Sequence, residues 1–446
     1  MLHFWNLSNA EPALISLVGG GGKTSVMVAL AKALVANGRS VIATTTTRIF
    51  SEQMALAPAA LTVTEAQTNK LPASLATYGW CLVVAQLEGE KAQGVALEQP
   101  GQWLARPDVD VVIVEADGSR MLPFKVPAAH EPPIPPDTTL VVPVVGVTAV
   151  NGRIATTAHR PERVLALSPD ATPDSPLTPS LIARLLTHPQ GGLKNVPPTA
   201  RVMPFINQVE TAEQFQLARQ IATHTLQSPQ IDAVLIGAVQ SETPVLERHD
   251  RITAVILAAG ESKRMGRATK QLLPWGQTTV LGQTIANTVA SGVHETIVVT
   301  GHEVEKVQAI AQATNISTIY NPQYASGDLL SSLKTAVAHL PPHCQAILVM
   351  LADQPLIEPE TINQILSAYW RGEGDLVAPT FKGIRGHPVL IGRAYFDELL
   401  ALANDSAPRN LLRHHLDQLH LVPVASESIL IDLDRPEDYQ RYYVKQ

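Results

Sequence analysis

Residues 257–270 read LAAGESKRMGRATK and follow the apolar run Ile252–Leu257. An apolar run that ends at a glycine, with basic residues just beyond, predicts a buried strand feeding a phosphate-binding loop of an α/β sheet. Gly260 lets the backbone turn where a side chain would collide with an anion. The spacing predicts a helix from about Glu261, whose unpaired N–H groups would face that anion. Arg264 and Lys270 then add positive charge, and Leu257, Ala258, Ala259 and Gly260 are the nucleotide-contact candidates. The competing reading is an ordinary strand-to-helix turn with solvated basic residues.

The downstream pattern fits the nucleotide reading. Ala346–Leu351 is strongly apolar and is followed by Ala352-Asp353-Gln354-Pro355. Ligands of open α/β sheets collect at the carboxyl ends of central strands. Asp353 is therefore the first candidate for a Mg2+ ligand, bridging metal and phosphates. Gly327 and Ser331 belong to the start of a helix expected over Leu329–His339, where a glycine and serines suit phosphate or base contact. Arg385, Gly386 and His387 lie between two expected strands, Leu376–Pro379 and Pro388–Ile391. A further strand is expected over Ile429–Asp432, and Asp432 is either a second metal ligand or a solvated cap.

A second glycine loop occurs near the amino terminus. The apolar run Ala13–Val18 leads into Gly19-Gly20-Gly21-Gly22-Lys23-Thr24, then a helical pattern over Val26–Ala36. This order suits a P-loop, with Gly20, Gly21 and Gly22 wrapping a phosphate, Lys23 reaching the outer phosphates and the Thr24 hydroxyl on Mg2+. Expected strands at Ser40–Ala43 and Asp110–Val114 end in Thr44-Thr45-Thr46-Thr47-Arg48 and in Glu115-Ala116-Asp117. A carboxylate at such a strand tip is placed to hold magnesium through its water shell, so Asp117 and Glu115 are candidates. The threonines either face a phosphate or reflect β-propensity and turn capping. Lys125, His130 and Glu131 sit in a proline-containing stretch and form no metal pattern by spacing. Val202–Ile206 ends in Asn207-Gln208-Val209-Glu210, which loosely resembles the base-reading loop of P-loop GTPases, with Gln208 and Glu210 departing from it.

Length and balance bound these readings. A chain of 446 residues has room for two or three domains. Its 45% hydrophobic and 16% charged residues are those of a globular chain. A net charge of −7 argues against nucleic acid as a general partner, because phosphate backbones need a basic face. Cys81 and Cys344 are too far apart for metal-ligand spacing, and a reducing cytoplasm is expected. The opening MLHFWNLSNAEP lacks a signal-peptide pattern, and no apolar run reaches membrane-spanning length. Proline clusters at 127–143 and 161–204 predict long loops with few helices. Gln240–Arg251 is polar and charged. The expected division is a nucleotide-binding domain over 1–241, a linker over 242–251 and a second domain over 252–446.

The stretch from Leu257 to Lys270, with LADQP and RGHP further on, resembles the MobA-like nucleotidyltransferases, and most closely the molybdenum-cofactor cytidylyltransferases. Ala259 stands where the guanylyl branch usually has a glycine. The resemblance implies CTP and molybdopterin as substrates, with pyrophosphate released. It also implies that Arg264, Lys270 and Asp353 act at the phosphates and that Arg385, Gly386 and His387 lie over the second substrate. The motifs GGGGKT, TTTTR, VEADGSR and INQVE together resemble the YqeC-type family. That resemblance implies ATP or GTP binding and a role in maturing a molybdenum hydroxylase apoenzyme. The expected fold class is α/β, with two Rossmann-like three-layer domains: an N-terminal P-loop-like domain and a C-terminal nucleotidyltransferase domain. Two other functions stay open: a sugar-phosphate nucleotidyltransferase, and a non-catalytic, nucleotide-gated chaperone for cofactor insertion.

Overall fold

The computed structural model describes residues 1–7, 11–262, 265, 269–325 and 329–443. The chain divides into two compact units, Met1–His249 and Asp250–Gln446.

The N-terminal unit is built on β1 (Ala13–Gly19), α1 (Lys23–Ala36), β2 (Val41–Thr45), β3 (Ala60–Thr62), α2 (Lys70–Tyr78), β4 (Trp80–Val84), α3 (Gln99–Leu104), β5 (Val111–Glu115), β6 (Leu140–Gly146), α4 (Pro179–Leu186), β7 (Phe205–Asn207), α5 (Ala212–Thr225), β8 (Val234–Ile236) and β9 (Glu247–His249). Their sheet order is β9-β8-β7-β6-β1-β5-β2-β4-β3. All neighbours on this path are parallel except β9, which runs antiparallel to β8. Such strands are buried on both faces and read as continuous apolar runs. Ile15 and Leu17 of β1 pack with α1 through Val26, Leu30 and Leu34, while Leu14 and Val18 pack on the opposite side with Leu71 and Leu75 of α2 and Trp103 of α3. The result is helix, sheet and helix in three layers.

Two expectations change here. The 161–204 stretch contains helices, because Pro161 and Pro179 stand in first turns, where a missing N–H costs nothing. Pro143 lies inside β6, at the point where the neighbouring strand passes from Arg201–Val202 to β7. The stretch expected to be a linker contains β9, whose Glu247 is fully buried and bonded to Arg219 and His249.

The C-terminal unit carries β10 (Ile252–Ala258), α6 (Val280–Val289), β11 (Glu295–Thr300), α7 (Val304–Ala313), β12 (Ser317–Tyr320), α8 (Leu329–Ala338), β13 (Ala346–Leu351), α9 (Pro359–Trp370), β14 (Leu376–Phe381), β15 (Ile384–Arg385), β16 (Val389–Gly392), α10 (Phe396–Ala401), α11 (Arg409–His414) and β17 (Leu419–Pro423). The sheet runs β12-β11-β10-β13-β16-β14-β15, with β17 beside β14. β10 pairs in parallel with β11 and β13, and β16 is antiparallel to its neighbours β13 and β14. Alternate residues again divide between two faces, one packed on α6, α7 and α9 and the other on α8, α10 and α11.

Residues 259–262, where the helix was expected to start, are irregular, Ser262 is left-handed at φ 53°, and a short 3-10 turn stands at Lys270–Leu272. The strand expected over Ile429–Asp432 is replaced by a 3-10 turn at Glu427–Leu430 and irregular chain. Among the described residues, no helix is long and apolar enough to cross a membrane.

Candidate functional site

In the C-terminal unit, β10 and β13 end side by side, and their carboxyl ends open on a cavity of about 490 Å³. Leu257, Ala258, Ala259, Gly260, Lys270 and Asp353 all line it, so the glycine loop and the strand-end carboxylate converge. Gly260 does not have a left-handed backbone, and a Cβ there would meet none of the described residues within 4 Å. The fold does not demand glycine at this position, and the missing side chain leaves open space at the cavity wall.

Among the described residues, the chemistry lies in four side chains. Asp353 is buried and accepts a hydrogen bond from Lys270 Nζ, which also bonds Asp434 Oδ1 at 2.8 Å. Asp432 also lines the cavity and accepts from Gln354 Nε2 at 2.7 Å. Burial pulls the Lys270 ammonium down, but Asp353 and Asp434 outweigh it and hold its pKa above the usual value. Burial, and next the Asp353 charge, push the Asp432 carboxyl up to about 6. Among the described residues, no group of three or more His, Cys, Asp or Glu side chains is arranged to hold a metal ion. The Lys270 ammonium bonds both Asp353 and Asp434.

Asp434 and Gln271 were not singled out by sequence. Asp434 stands two residues from Asp432, a spacing that returns an extended chain to the same face and could have signalled the pair. Gln271 is buried; its Nε2 donates to Ala258 O at 3.1 Å and its Oε1 accepts from Ser262 Oγ at 3.2 Å, fixing the glycine loop. Nothing in the sequence marks it.

Other expected positions fall elsewhere. Ser332 lines the cavity, whereas Ser331 Oγ accepts from Asn321 Nδ2 at 2.9 Å. One helical residue, about 100° of turn, separates the two. Arg385, Gly386 and His387 do not line the cavity; Gly386 is packed on the Ile429 carbonyl and His387 N–H donates to that same oxygen at 3.1 Å. Burial holds the His387 imidazole below its usual pKa, against the opposing charge of Asp353. Arg264 and Gly327 lie outside the described residues.

In the N-terminal unit, β1 passes through a glycine turn into α1. Gly19, Gly21 and Gly22 all have positive φ, at 91°, 78° and 106°. The turn is already bonded within the protein. Gly20 N–H donates to Val144 O, Gly21 N–H to Leu122 O, and Gly19 N–H to both oxygens of Asp117. Lys23 does not point outward: its Nζ donates to Gly19 O at 2.6 Å and lies 3.3 Å from Asp117 Oδ1. Asp117 also pairs with Lys125 at 3.0 Å, Lys125 with Glu131 at 3.1 Å, and Glu131 with Arg160 at 3.1 Å. This chain of alternating charge explains Lys125 and Glu131, which form no metal pattern by spacing.

Thr24 Oγ1 donates to Glu115 Oε2 at 2.8 Å, so the carboxylate at the hydroxyl is Glu115, and Asp117 is committed to the turn and its lysines. The Glu115 carboxyl is raised by burial, with Lys23 opposing. The threonine run serves the fold: Thr44, Thr45 and Thr46 donate to Val83 O, Glu115 O and Pro133 O. Both cysteines are buried, and burial pushes the Cys81 thiol up to about 12.

Comparison with known proteins divides the chain in the same way. The YqeC protein family matches residues 15–162, and the MobA-like NTP transferase domain matches residues 254–419. The protein YqeC of Escherichia coli K12 is 33% identical over 249 residues, 53% of this chain and 92% of that protein. The molybdenum cofactor cytidylyltransferase of Escherichia coli K12 is 33% identical over 190 residues, 42% of this chain and 93% of that protein. Nicotine blue oxidoreductase of Paenarthrobacter nicotinovorans is 30% identical over 198 residues, 43% of this chain and 95% of that protein. The chain therefore belongs to the YqeC family through its N-terminal half and, through its C-terminal half, to the MobA-like NTP transferases.

Proposed function

We propose that the C-terminal unit transfers CMP from CTP to the phosphate of molybdopterin, releasing pyrophosphate, and that the N-terminal unit is a P-loop-like nucleotide-binding accessory domain for maturation of a molybdenum hydroxylase. The observation that carries the first part is the cavity at the ends of β10 and β13, where Lys270 is held between Asp353 and Asp434. Likeness to a molybdenum cofactor cytidylyltransferase supports the choice of substrates.

A phosphate monoester is already anionic near neutrality, its second pKa being about 6, so the acceptor needs no strong base. Its oxygen bonds to the α-phosphorus of CTP as the bond to the bridging oxygen breaks, and pyrophosphate departs with that electron pair. The protein's task is alignment and neutralisation of crowded charge. Lys270 supplies a cation whose charge its carboxylate partners preserve, and the open space at Gly260 admits the triphosphate. Asp353, with Asp432 beside it on the cavity wall, would hold magnesium, which needs only one or two protein carboxylates. When bound, magnesium neutralises phosphate oxygens.

Pyrophosphate release from CTP with molybdopterin tests this, with a fall of about 10²-fold or more expected in Asp353→Ala. Faster turnover of a sugar 1-phosphate would favour the sugar-phosphate reading. CTP binding without pyrophosphate from any acceptor would favour the chaperone reading. In the N-terminal unit, Lys23 turns from Asp117 to the outer phosphates of ATP or GTP, and Thr24 with Glu115 is where magnesium would be held. Unchanged nucleotide affinity in Lys23→Ala would overturn that role.

A further inference from the structure

We propose that the N-terminal unit reads a guanine base in the cavity beside its glycine turn, with Glu210 as the discriminating group. This rests on the reading that the turn binds a nucleoside polyphosphate, and adds which base is accepted.

The cavity, about 260 Å³, is bounded by the start of α1 and by the loops after β7 and β8. Its floor is Asn207, which is buried and uses both ends of its amide. Nδ2 donates to Gly21 O at 2.8 Å, and Oδ1 accepts from Val239 N–H at 3.0 Å. One side chain thus ties together the three loops that form the walls. A Cβ on Gly22 would come within 2.9 Å of Asn207 Nδ2, so the close approach depends on glycine. Gln208 is held on one side by a left-handed backbone, φ 68°, and by Thr148 Oγ1 donating to its Oε1 at 2.9 Å. Gln240 closes the other side, donating to Ser25 Oγ at 3.3 Å.

The lining is made of hydroxyls, amides and a single carboxylate, with no lysine or arginine among its described residues. A phosphate there would face Glu210 without a counter-charge. A neutral polar ring fits, leaving phosphates to the Lys23 side of the turn. The Glu210 carboxylate makes no hydrogen bond or ion pair among the described residues, while its backbone N–H is anchored on Gln214 Oε1 at 2.8 Å. An ionised carboxylate only accepts. Guanine offers it two adjacent donors, N1–H and the 2-amino group. Adenine and cytosine each set a ring-nitrogen lone pair beside their amino group, and uracil flanks its one N–H with carbonyls. Guanine alone makes the paired, charge-assisted contact.

The test is a titration of fluorescent GDP, ADP and XDP into the full chain with CTP saturating, for wild type and Glu210→Gln. A carboxamide adds a donor, which suits the 2-carbonyl of xanthine. The wild type should bind GDP about 10-fold or more tighter than ADP or XDP. Glu210→Gln should lose about 10-fold for GDP, gain about 10-fold for XDP and leave ADP unchanged. A gain for XDP cannot come from misfolding. If GDP and ADP bind alike, Glu210→Gln moves neither and Lys23→Ala abolishes both, the guanine assignment falls and the phosphate site stands. If no binding depends on Lys23, the underlying reading falls with it.

Discussion

Gly260 lines the C-terminal cavity and Gly301 packs behind two of its lining residues, and the pair separates what the fold needs from what a ligand needs. A Cβ on Gly301 would lie 2.5 Å from Tyr324 Cβ and 2.8 Å from Ala259 Cβ. Gly301→Ala should therefore destabilise the unit by about 1–3 kcal/mol, read as a lower denaturant midpoint. Gly260 faces open space, so Gly260→Ala should leave that midpoint unchanged and weaken CTP binding about 10-fold, a single misplaced group being enough for such a loss. A shifted midpoint with intact binding would reverse the assignment. Asp432 gives a pH signature. Its folded pKa of about 6 is raised above the unfolded value, so its contribution to stability is complete in acid and is lost as pH rises through 6. Asp432→Asn should raise the Tm relative to wild type at pH 7–8, and the gap should close below pH 4. A constant gap across that window would mean Asp432 does not carry the effect.

At the scale of elements, the parallel strands were the most legible parts of the sequence, because burial on both faces writes continuous apolar runs such as Ile252–Ala258 and Ala346–Leu351. The chain just beyond a strand's end was less legible. Apolar periodicity does not report the left-handed Ser262 or the Gln271 side chain that bonds both Ser262 and Ala258. The strand β9 was hidden because its sequence, Glu-Arg-His, is polar, and its burial depends on a partner 28 residues away. That partner, Arg219, and His249 outweigh burial and hold the Glu247 carboxyl below its usual range. Glu247→Ala should cost about 3 kcal/mol by removing the buried carboxylate that those two groups share, measured as a loss in the N-terminal unit's unfolding transition. A change under about 0.5 kcal/mol would show that β9 is held by its backbone alone.

For the whole molecule, a division between His249 and Asp250 with separate cores on each side predicts two unfolding transitions in calorimetry. CTP with magnesium should raise only one of them; a single cooperative transition would contradict independent cores. The ionic organisation was the least legible feature, since Lys23, Asp117, Lys125, Glu131 and Arg160 are scattered along the chain and meet only through the sheet. Asp117 has two lysines and a backbone N–H around it. Should Lys23 swing toward an incoming anion, the aspartate keeps Lys125 and Gly19 and is not orphaned, while Glu115 keeps the Thr24 hydroxyl. The reserve partner makes that lysine the member of the network most readily lent out.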